Sequence, residues 1–422
     1  MDFPEALADL DARKPEKLKP SLDRIRALAE LLDNPQHRYR TIHVTGTNGK
    51  TTTARLAARI LCGQDVTAGL YTSPHLQSVT ERLALCDEPI SDEEFAAVYA
   101  HLKPYLDEVD GHGDPLSYFE TLTGLAYLWM ADKPVAAGVY EVGMGGTWDA
   151  TNLIRSEVAV FCSIDLDHPE LGATVQEVAS EKAGIIKEGS VVVIQKPSPA
   201  VIEGIEPRVV EMQARLCVAG QEYRIPGRVQ AVGGEQFAVG TPNAEYRDLF
   251  VPLHGWHQVE NAAAAIVAAE ALLDRELDVD ALRTALAGAT SPGRMEIVGH
   301  RPLVVLDGAH NPDAARRLAQ AMGESFVWRR LHLVLGVLRE KDIDGILDAL
   351  ASRADLAYAC ANTSPRSRDA EDTASACRRA GLPVTVHGTV GEALDAATAA
   401  ADDQDMILVT GSLYTVADAR RD

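Results

Sequence analysis

The chain has 422 residues, of which 46% are hydrophobic, so its length and composition predict two or three globular domains with sizeable cores. Its 40 basic and 62 acidic residues give a formal net charge of −22. This charge argues against nucleic acid or an anionic membrane surface as a partner, because both bind to basic surfaces.

Six cysteines are scattered at positions 62, 86, 162, 217, 360 and 377 without a C-x-x-C motif, which predicts reduced thiols in a cytoplasmic protein. The first residues, M-D-F-P-E-A-L, are acidic and lack the apolar core of a signal peptide. The most apolar long run, at 261–273, is too short to cross a bilayer. We therefore expect that run to form a core helix and the chain to make no membrane contact.

Residues 2–34 carry apolar positions at helical spacing, and Pro20 and Ser21 predict the start of a second helix there. The stretch T-I-H-V-T-G-T-N-G-K-T-T-T at 41–53 then predicts a buried strand, a glycine-rich turn and a helix. Such a turn binds phosphate, because backbone N–H groups and the positive end of the helix dipole face the anion. We expect Lys50 to reach the β- and γ-phosphates and the Thr51 hydroxyl to bind Mg²⁺.

Polar side chains follow several predicted strands. Ser73 and His75 flank a proline in T-S-P-H-L, which is either a surface turn or part of a site. Glu141 lies near the carboxyl end of a buried strand at 136–142, and His168, a capping or core histidine if it is not a ligand, follows the strand at 158–164. The carboxyl ends of parallel strands meet at one sheet edge, so we expect Glu141 and His168 to converge near Thr51. A carboxylate, an imidazole and hydroxyls suit a Mg²⁺ site that includes waters and phosphate oxygens.

Aromatic residues mark two further segments. Tyr118 and Phe119 begin a predicted helix, where such a pair is either core or a stacking surface for a flat ligand. The loop G-M-G-G-T-W-D-A-T-N at 143–152 contains Trp148, Asp149 and Ala150. It follows directly after the strand that carries Glu141, so it belongs to the same sheet edge.

The remaining pattern predicts an α/β fold in two domains. A helix is expected at 203–216, and short strands at 217–253 predict a small antiparallel appendage to a P-loop-type parallel sheet domain. The composition changes near 286–294, which divides the chain into residues 1–288 and 289–422. Strands alternate with helices after that point, which predicts a Rossmann-like C-terminal domain. It contains no G-x-G-x-x-G motif, so nothing indicates a nicotinamide cofactor.

The motif D-G-A-H-N-P-D at 307–313 follows the first strand that this pattern predicts for the second domain. Asn311 is a good helix N-cap and Pro312 a good first helical residue. Asp307 and His310 are therefore expected on a loop at the end of that strand.

Several motifs now stand together in one order: T-G-T-N-G-K-T, T-S-P-H-L, E-V-G-M-G-G-T-W-D-A-T-N, D-H-P-E-L-G, E-K-A-G-I-I-K, S-P-G-R, D-G-A-H-N-P and T-G-S-L-Y. From about residue 20 to 417, this chain resembles the folylpolyglutamate synthase/dihydrofolate synthase family of the Mur ligase superfamily. One position departs from the family loop, which often has glycine where Thr51 stands here, as in the cell-wall Mur ligases. The T-S-P-H-L and D-A-T-N motifs favour the folate branch.

The resemblance implies a role for each motif. It implies an N-terminal domain for ATP and Mg²⁺ and a C-terminal domain for the glutamate side, with Lys50 and His310 as catalytic residues. It makes Lys182 a candidate for carbamylation. The implied ATP-binding residues are Gly46, Thr47, Asn48, Gly49, Lys50, Thr51, Thr52, Asn261, Arg294 and Asp307. The implied metal ligands are Thr51, Ser73, Glu141 and His168. The implied pteroate-binding residues are Ser21, Tyr118, Phe119, Trp148, Asp149 and Ala150.

The resemblance also implies a reaction. A cytoplasmic, monomeric ligase with Mg²⁺ as cofactor and ATP as co-substrate would join L-glutamate to dihydropteroate and to reduced folates through an acyl phosphate. Amide formation from a carboxylate needs such a leaving group, and catalysis by positioning and electrostatics suits the phosphate loop. The alternatives are only one of the two folate activities, a cell-wall amino-acid ligase, an ATP-dependent switch protein, or an inactive ligase. Intact Lys50, Glu141 and His168 argue against the last.

Overall fold

The computed structural model describes residues 1–13, 20–166 and 169–420. The chain forms two compact units. The first comprises residues 1–228, 236–251 and 259–289, and the second comprises 229–235, 252–258 and 290–422. No helix in the described residues combines the length and the hydropathy that crossing a bilayer requires.

One large sheet organises the first unit. Its strands are β1 (Arg40–Thr45), β2 (Ala68–Tyr71), β3 (Leu83–Leu85), β4 (Glu88–Pro89), β5 (Ala137–Glu141), β6 (Val158–Phe161), β7 (Val191–Ile194) and β8 (Arg215–Val218). Their order is β4-β3-β2-β5-β1-β6-β7-β8, and all neighbours are parallel except at β3 and β4. The chain extends to one side of β1 and later to the other, so the loop after β1 lies where ligands bind in such sheets.

Helices cover this sheet. They are α1 (Phe3–Asp11), α2 (Asp23–Leu31), α3 (Lys50–Gly63), α4 (Asp92–Gly111), α5 (Tyr118–Asp132), α6 (Val175–Lys182), α7 (Pro199–Glu211), α8 (Trp256–Leu273) and α9 (Val279–Ala287). Side-chain caps fix several starts: Ser117, for example, accepts from the backbone of Glu120, and Thr174 accepts from Glu177. One buried cluster joins α1, α2, α4 and α5, and another joins β6, β7, α6 and α7.

A small separate sheet follows, as the sequence predicts. It consists of β9 (Arg224–Ala231), β10 (Gly234–Gly240) and β11 (Glu245–Val251) in the order β11-β10-β9. The connection between β9 and β10 is two residues long, and Gly233 in it has φ +78°. Only glycine adopts such a dihedral without steric cost, which explains its place in this turn.

The second unit is built on another sheet. Its strands are β12 (Glu296–His300), β13 (Leu303–Leu306), β14 (Leu331–Leu335), β15 (Leu356–Ala359), β16 (Val384–Val386) and β17 (Met406–Thr410). They are ordered β12-β13-β17-β14-β15-β16, with only β12 antiparallel in the described residues. The accompanying helices are α10 (Pro312–Ser325), α11 (Ile343–Leu350), α12 (Ala370–Arg379), α13 (Val390–Ala400) and α14 (Leu413–Ala419). The predicted α/β class is confirmed.

One predicted element boundary is wrong, and one strand was not predicted. The helix expected over 203–216 ends at Glu211, and Arg215–Val218 instead forms β8, which pairs with β7. Gln213 has φ +50°, which cannot continue a helix. The edge strand β12 was not predicted; three of its residues are half-buried and two are exposed, so it lacks the buried apolar residues that mark β14, β15 and β17.

The prediction of six reduced thiols is wrong for two of them. Cys62 at the end of α3 and Cys86 after β3 form a disulfide with a Cα–Cα distance of 5.6 Å. The four free cysteines are buried. Cys86 and Asp87 both have positive φ, +46° and +76°, in the two-residue turn between β3 and β4. Glycine or asparagine usually fills such positions, so the disulfide and an ion pair from Arg59 to Asp87 hold a turn that local preference disfavours.

The contact between α6 and α7 gives a testable prediction. A Cβ on Gly204 of α7 would lie 2.5 Å from the carbonyl oxygen of Gln176 and 2.8 Å from Cβ of Ala179. Gly204→Ala should therefore lower the free energy of unfolding by about 1–3 kcal/mol, as measured by urea denaturation. The control is Gly111→Ala at the end of α4, where nothing lies within 4 Å of the added carbon. That variant should be neutral or stabilised by up to ~1 kcal/mol, and equal effects at both sites would contradict the packing argument.

Candidate active site

The glycine-rich loop between β1 and α3 is held in a conformation that two glycines make possible. Gly46 has φ +150° and Gly49 has φ +93°. A Cβ on Gly46 would lie 2.8 Å from Cβ of Cys162, and one on Gly49 would lie 2.6 Å from Oδ1 of Asn261. The backbone of the loop therefore packs directly against its neighbours, and no side chain fits at either position.

Polar contacts fix the loop from both sides. The backbone N–H of Thr47 donates to the carbonyl of Ser163 at 2.7 Å, and the Thr47 hydroxyl donates to the carbonyl of Asp165 at 2.8 Å. Lys50 folds back over the loop and donates from Nζ to the carbonyl of Gly46 at 2.9 Å. Gly49, the N-cap of α3, offers no side chain to the first N–H groups of that helix. An uncapped helix start beside a lysine is a binding site for an anion.

A buried carboxylate lies beside this loop. Glu141 at the end of β5 is 1% exposed. Its Oε1 accepts from the Thr51 hydroxyl at 2.8 Å, and its Oε2 accepts from the backbone N–H of Ser73 at 3.0 Å. The structure thus brings together Thr51, Ser73 and Glu141, whereas His168 lies outside the described residues. Within 1–13, 20–166 and 169–420, no three His, Cys, Asp or Glu side chains form a metal cluster.

Lys182 approaches the same loop from the other side. It is the last residue of α6, is 3% exposed and donates from Nζ to the carbonyl of Gly46 at 3.2 Å. The G-M-G-G-T segment packs on this end of α6, because a Cβ on Gly146 would lie 2.6 Å from the carbonyl oxygen of Lys182. Thr147 is fixed there through its backbone N–H, which donates to Glu181 Oε1 at 3.0 Å. The lysines at 50 and 182 therefore converge on one carbonyl group.

Asn261 of α8 contacts the loop and is itself oriented by a neighbour. Gln195, which follows β7 and is buried, donates from Nε2 to Asn261 Oδ1 at 2.7 Å. Gln195 was not predicted as a site residue. Its position just after a buried strand is the only sequence signal that pointed to it.

A large cavity of about 890 Å³ adjoins this region. Gly143 and Met144 line it and also line a small cleft at the glycine-rich loop. Of the predicted pteroate residues, the cavity contains Ser21, Phe119, Trp148, Asp149 and Ala150. Tyr118 is not among the described lining residues, and the guanidinium carbon of Arg82 lies 5.4 Å from its ring centre instead.

Asp149 is a buried carboxylate of the cavity wall. Its side chain accepts from the backbone N–H groups of Met144 and Thr151, both at 3.0 Å, and from the Thr151 hydroxyl. Burial raises the pKa of this carboxyl, and the hydrogen bonds oppose that rise. Oriented in this way, Asp149 can accept a hydrogen bond from the N–H edge of a flat heterocycle.

Charged residues that the sequence did not reveal complete the cavity wall. Arg13 of the N-terminal segment lies 2.9 Å from Asp110, and Arg24 lies 3.0 Å from Glu120. The partners are separated by 97 and 96 residues in the chain. These two pairs join distant parts of the chain, so neither follows a sequence spacing, although Arg13 also pairs with Asp9 four residues before it.

Arg294, Asp307 and His310 group together in the second unit. Asp307, at the end of β13, is buried and accepts from the backbone N–H of Met295 at 2.9 Å and of Ala309 at 2.8 Å. Burial raises the pKa of the Asp307 carboxyl, and the charge of Arg294 opposes the rise. His310 Nδ1 lies 2.8 Å from the carbonyl oxygen of Gly308. Asn311 caps α10, and Pro312 is its first residue, as predicted.

Comparison with known proteins agrees with this geometry. Residues 44–269 match the Mur ligase middle domain, and residues 293–413 match the Mur ligase glutamate ligase domain. The fold and the phosphate loop are therefore those of a Mur ligase.

The relatives narrow this class. The chain is 40% identical to the dihydrofolate synthase/folylpolyglutamate synthase of Mycobacterium tuberculosis, over 97% of this chain and 92% of the relative. The M. tuberculosis folylpolyglutamate synthase structure complexed with ADP matches with a TM-score of 0.95 at 38% identity, over 99% of this chain and 97% of that one. The structure of Escherichia coli FolC in complex with DHPP and ADP matches with a TM-score of 0.89 at 32% identity, over 100% and 99%. The chain therefore belongs to the dihydrofolate synthase/folylpolyglutamate synthase family.

The ion pair in the cavity wall gives a second prediction. Arg24 and Glu120 have side chains that are 18% and 6% exposed. Arg24→Met alone leaves the Glu120 carboxylate without its cation, so it should destabilise the first unit by about 1–3 kcal/mol. Glu120→Gln introduced into that variant should recover part of the loss, with a coupling of about 0.5–3 kcal/mol in the double-mutant cycle. Strictly additive urea-denaturation energies would show that the two side chains do not interact.

Proposed function

We propose that this protein is an ATP-dependent ligase that joins L-glutamate to dihydropteroate and to reduced folates through an acyl phosphate. The observation that carries the proposal is the shared wall of the two sites. Gly143 and Met144 line both the cleft at the glycine-rich loop and the 890 Å³ cavity that contains Phe119, Trp148 and Asp149. A carboxylate at the end of a ligand held in that cavity is thereby directed towards a nucleotide on the loop.

The nucleotide in this proposal is ATP, held by the loop at 46–52 and by Asn261. The N–H groups at the start of α3, which has no side-chain cap, and the Lys50 ammonium neutralise the charge of the phosphates. Arg294 and Asp307 in the second unit are proposed as further nucleotide contacts, and His310 as a catalytic residue. The M. tuberculosis relative is described as complexed with ADP, which supports the choice of nucleotide.

Mg²⁺ is the proposed metal. The residues fit it, because Thr51 and Glu141 supply hard oxygen atoms 2.8 Å apart at the loop. Thr51, Ser73, Glu141 and His168 would hold the ion, and Mg²⁺ would neutralise the negative charge that develops on the transferring phosphoryl group. Lys182 is proposed as a site of carbamylation, because it is buried at the same loop.

The acceptor is proposed to bind by its ring system. Phe119 offers a stacking surface, and Asp149 offers an acceptor to the N–H edge of a pterin. The γ-phosphoryl group of ATP is transferred to the carboxylate, which gives an acyl phosphate and ADP. The amine of glutamate attacks the acyl carbon, and the tetrahedral intermediate expels phosphate. The residues of the cavity and of the glycine-rich loop contribute positioning and electrostatic stabilisation, which account for most of the rate enhancement in such a reaction.

The same proposal assigns the domains and the cellular setting. Residues 1–288 bind ATP, Mg²⁺ and pteroate, and residues 289–422 serve the glutamate side. The enzyme acts as a monomer in the cytoplasm, where ATP is available. Its substrates are small molecules. Nucleic acid is not among the proposed partners, because the net charge of −22 opposes binding to a polyanion.

Product mass tests this function. Purified protein with ATP, Mg²⁺ and glutamate should add 1 glutamate to dihydropteroate and 1 or more to tetrahydrofolate, with phosphate released in step. The control is the same reaction without glutamate, which should release little phosphate. If only 1 of the two acceptors gains glutamate, the protein has only one of the two folate activities. If neither acceptor gains glutamate but a nucleotide-sugar peptide is extended, the protein is a cell-wall ligase. ATP hydrolysis without any ligation would indicate a switch protein.

The metal proposal has its own variant. Glu141→Gln keeps the size of the side chain but removes its charge, so the Mg²⁺ concentration for half-maximal activity should rise about tenfold or more, and kcat should fall. The control is Glu157→Gln, because Glu157 accepts from Thr41 at the opposite end of β1. That variant should keep the wild-type Mg²⁺ dependence. An unchanged Mg²⁺ dependence in Glu141→Gln would remove Glu141 from the metal site.

A further inference from the structure

Three buried side chains form a line behind the large cavity. His43 lies in the middle of β1, and its Nε2 is 2.8 Å from the Thr151 hydroxyl. The same hydroxyl contacts Oδ1 of Asp149, which lines the cavity. His43 and Thr151 are both 0% exposed. Neither touches the cavity, and neither stood out in the sequence as a site residue.

The proton positions in this line follow from the contacts. Nδ1 of His43 has no hydrogen-bond partner among the described residues, so a proton there would be a buried donor without an acceptor. The single proton of the neutral ring therefore lies on Nε2 and is donated to Thr151. Burial and the charge of Lys187 lower the pKa of His43 well below its usual range, which keeps the ring neutral.

The direction of the second hydrogen bond is then fixed. The Thr151 oxygen already accepts from His43, so its own O–H group donates to Asp149. Asp149 Oδ1 thus accepts hydrogen bonds from the backbone N–H and the hydroxyl of Thr151, while Oδ2 accepts one from the backbone N–H of Met144. Every donor in this set stabilises the ionised carboxylate and holds its plane in one orientation.

We propose that Thr151 and His43 are positioning residues that hold Asp149 as an oriented hydrogen-bond acceptor for the donor-bearing edge of the heterocyclic substrate. The inference rests on the proposed function, in which the cavity binds a pterin. Thr151 acts through Asp149. His43 acts through Thr151, because an Nε2 atom that carries a proton cannot accept the hydroxyl hydrogen, which is therefore donated to Asp149. Heterocycle affinity should therefore depend on Thr151, whereas nucleotide affinity should not.

The test compares two substitutions at one position. Thr151→Val keeps the shape of the side chain but cannot donate, so KM for dihydropteroate should rise roughly tenfold, with KM for ATP within about twofold of wild type. Thr151→Ser restores the hydroxyl and should recover most of the affinity. The control is Thr41→Val at the start of β1, where another buried hydroxyl donates to a carboxylate, that of Glu157, away from the cavity. It should lower the melting temperature without raising KM for dihydropteroate.

The direction of the line is tested by NMR on uniformly ¹³C,¹⁵N-histidine-labelled protein at pH 7.5, with the His43 signals assigned by their loss in His43→Gln. The expected tautomer carries its proton on Nε2. A proton on Nδ1, or an unchanged KM for dihydropteroate in a folded Thr151→Val, would overturn the inference. If the wild-type protein does not convert dihydropteroate at all, that result would instead contradict the proposed function.

Discussion

The contact on which the site depends is the one between Glu141 and its two neighbours. A carboxylate that is 1% exposed at the end of a central strand is costly unless its oxygens are satisfied. The Thr51 hydroxyl and the Ser73 backbone provide that compensation. Thr51 is the second residue of α3, which follows β1, and Ser73 lies in the segment after β2. One buried carboxylate thus ties the start of the helix after the glycine-rich loop to the segment at Ser73, which lines the large cavity.

The sequence predicted the parts of this arrangement that obey local rules. A strand followed by glycines, a lysine and threonines defines a phosphate loop whatever the rest of the chain does, and Gly46 and Gly49 do have the positive φ that the turn needs. The cap at Asn311 likewise depends only on its neighbours. The convergence of Glu141 with Thr51 needed one further step, the rule that parallel strands end at a common edge, whereas Ser73 was expected there only from the family resemblance.

The parts that escaped prediction depend on contacts between distant residues. Nothing local pairs Arg24 with Glu120 or Gln195 with Asn261, because the partners are 96 and 66 residues apart. The first half of β8 was missed for a related reason: residues 215 and 216 continue the pattern of the preceding helix, and pairing with β7 makes them part of a strand. The chemical type of a residue and its position after a strand can identify it as a candidate, but which candidates contact one another depends on how the sheet and helices pack.

The bond between Cys62 and Cys86 closes a covalent ring of the chain around β2, the T-S-P-H-L turn and β3. A single protease cut inside this ring would leave both fragments attached to each other. The nick would then be invisible on a non-reducing gel and would become visible only after thiol treatment. The disulfide therefore protects the integrity of the polypeptide that carries Ser73 even where it does not prevent cleavage.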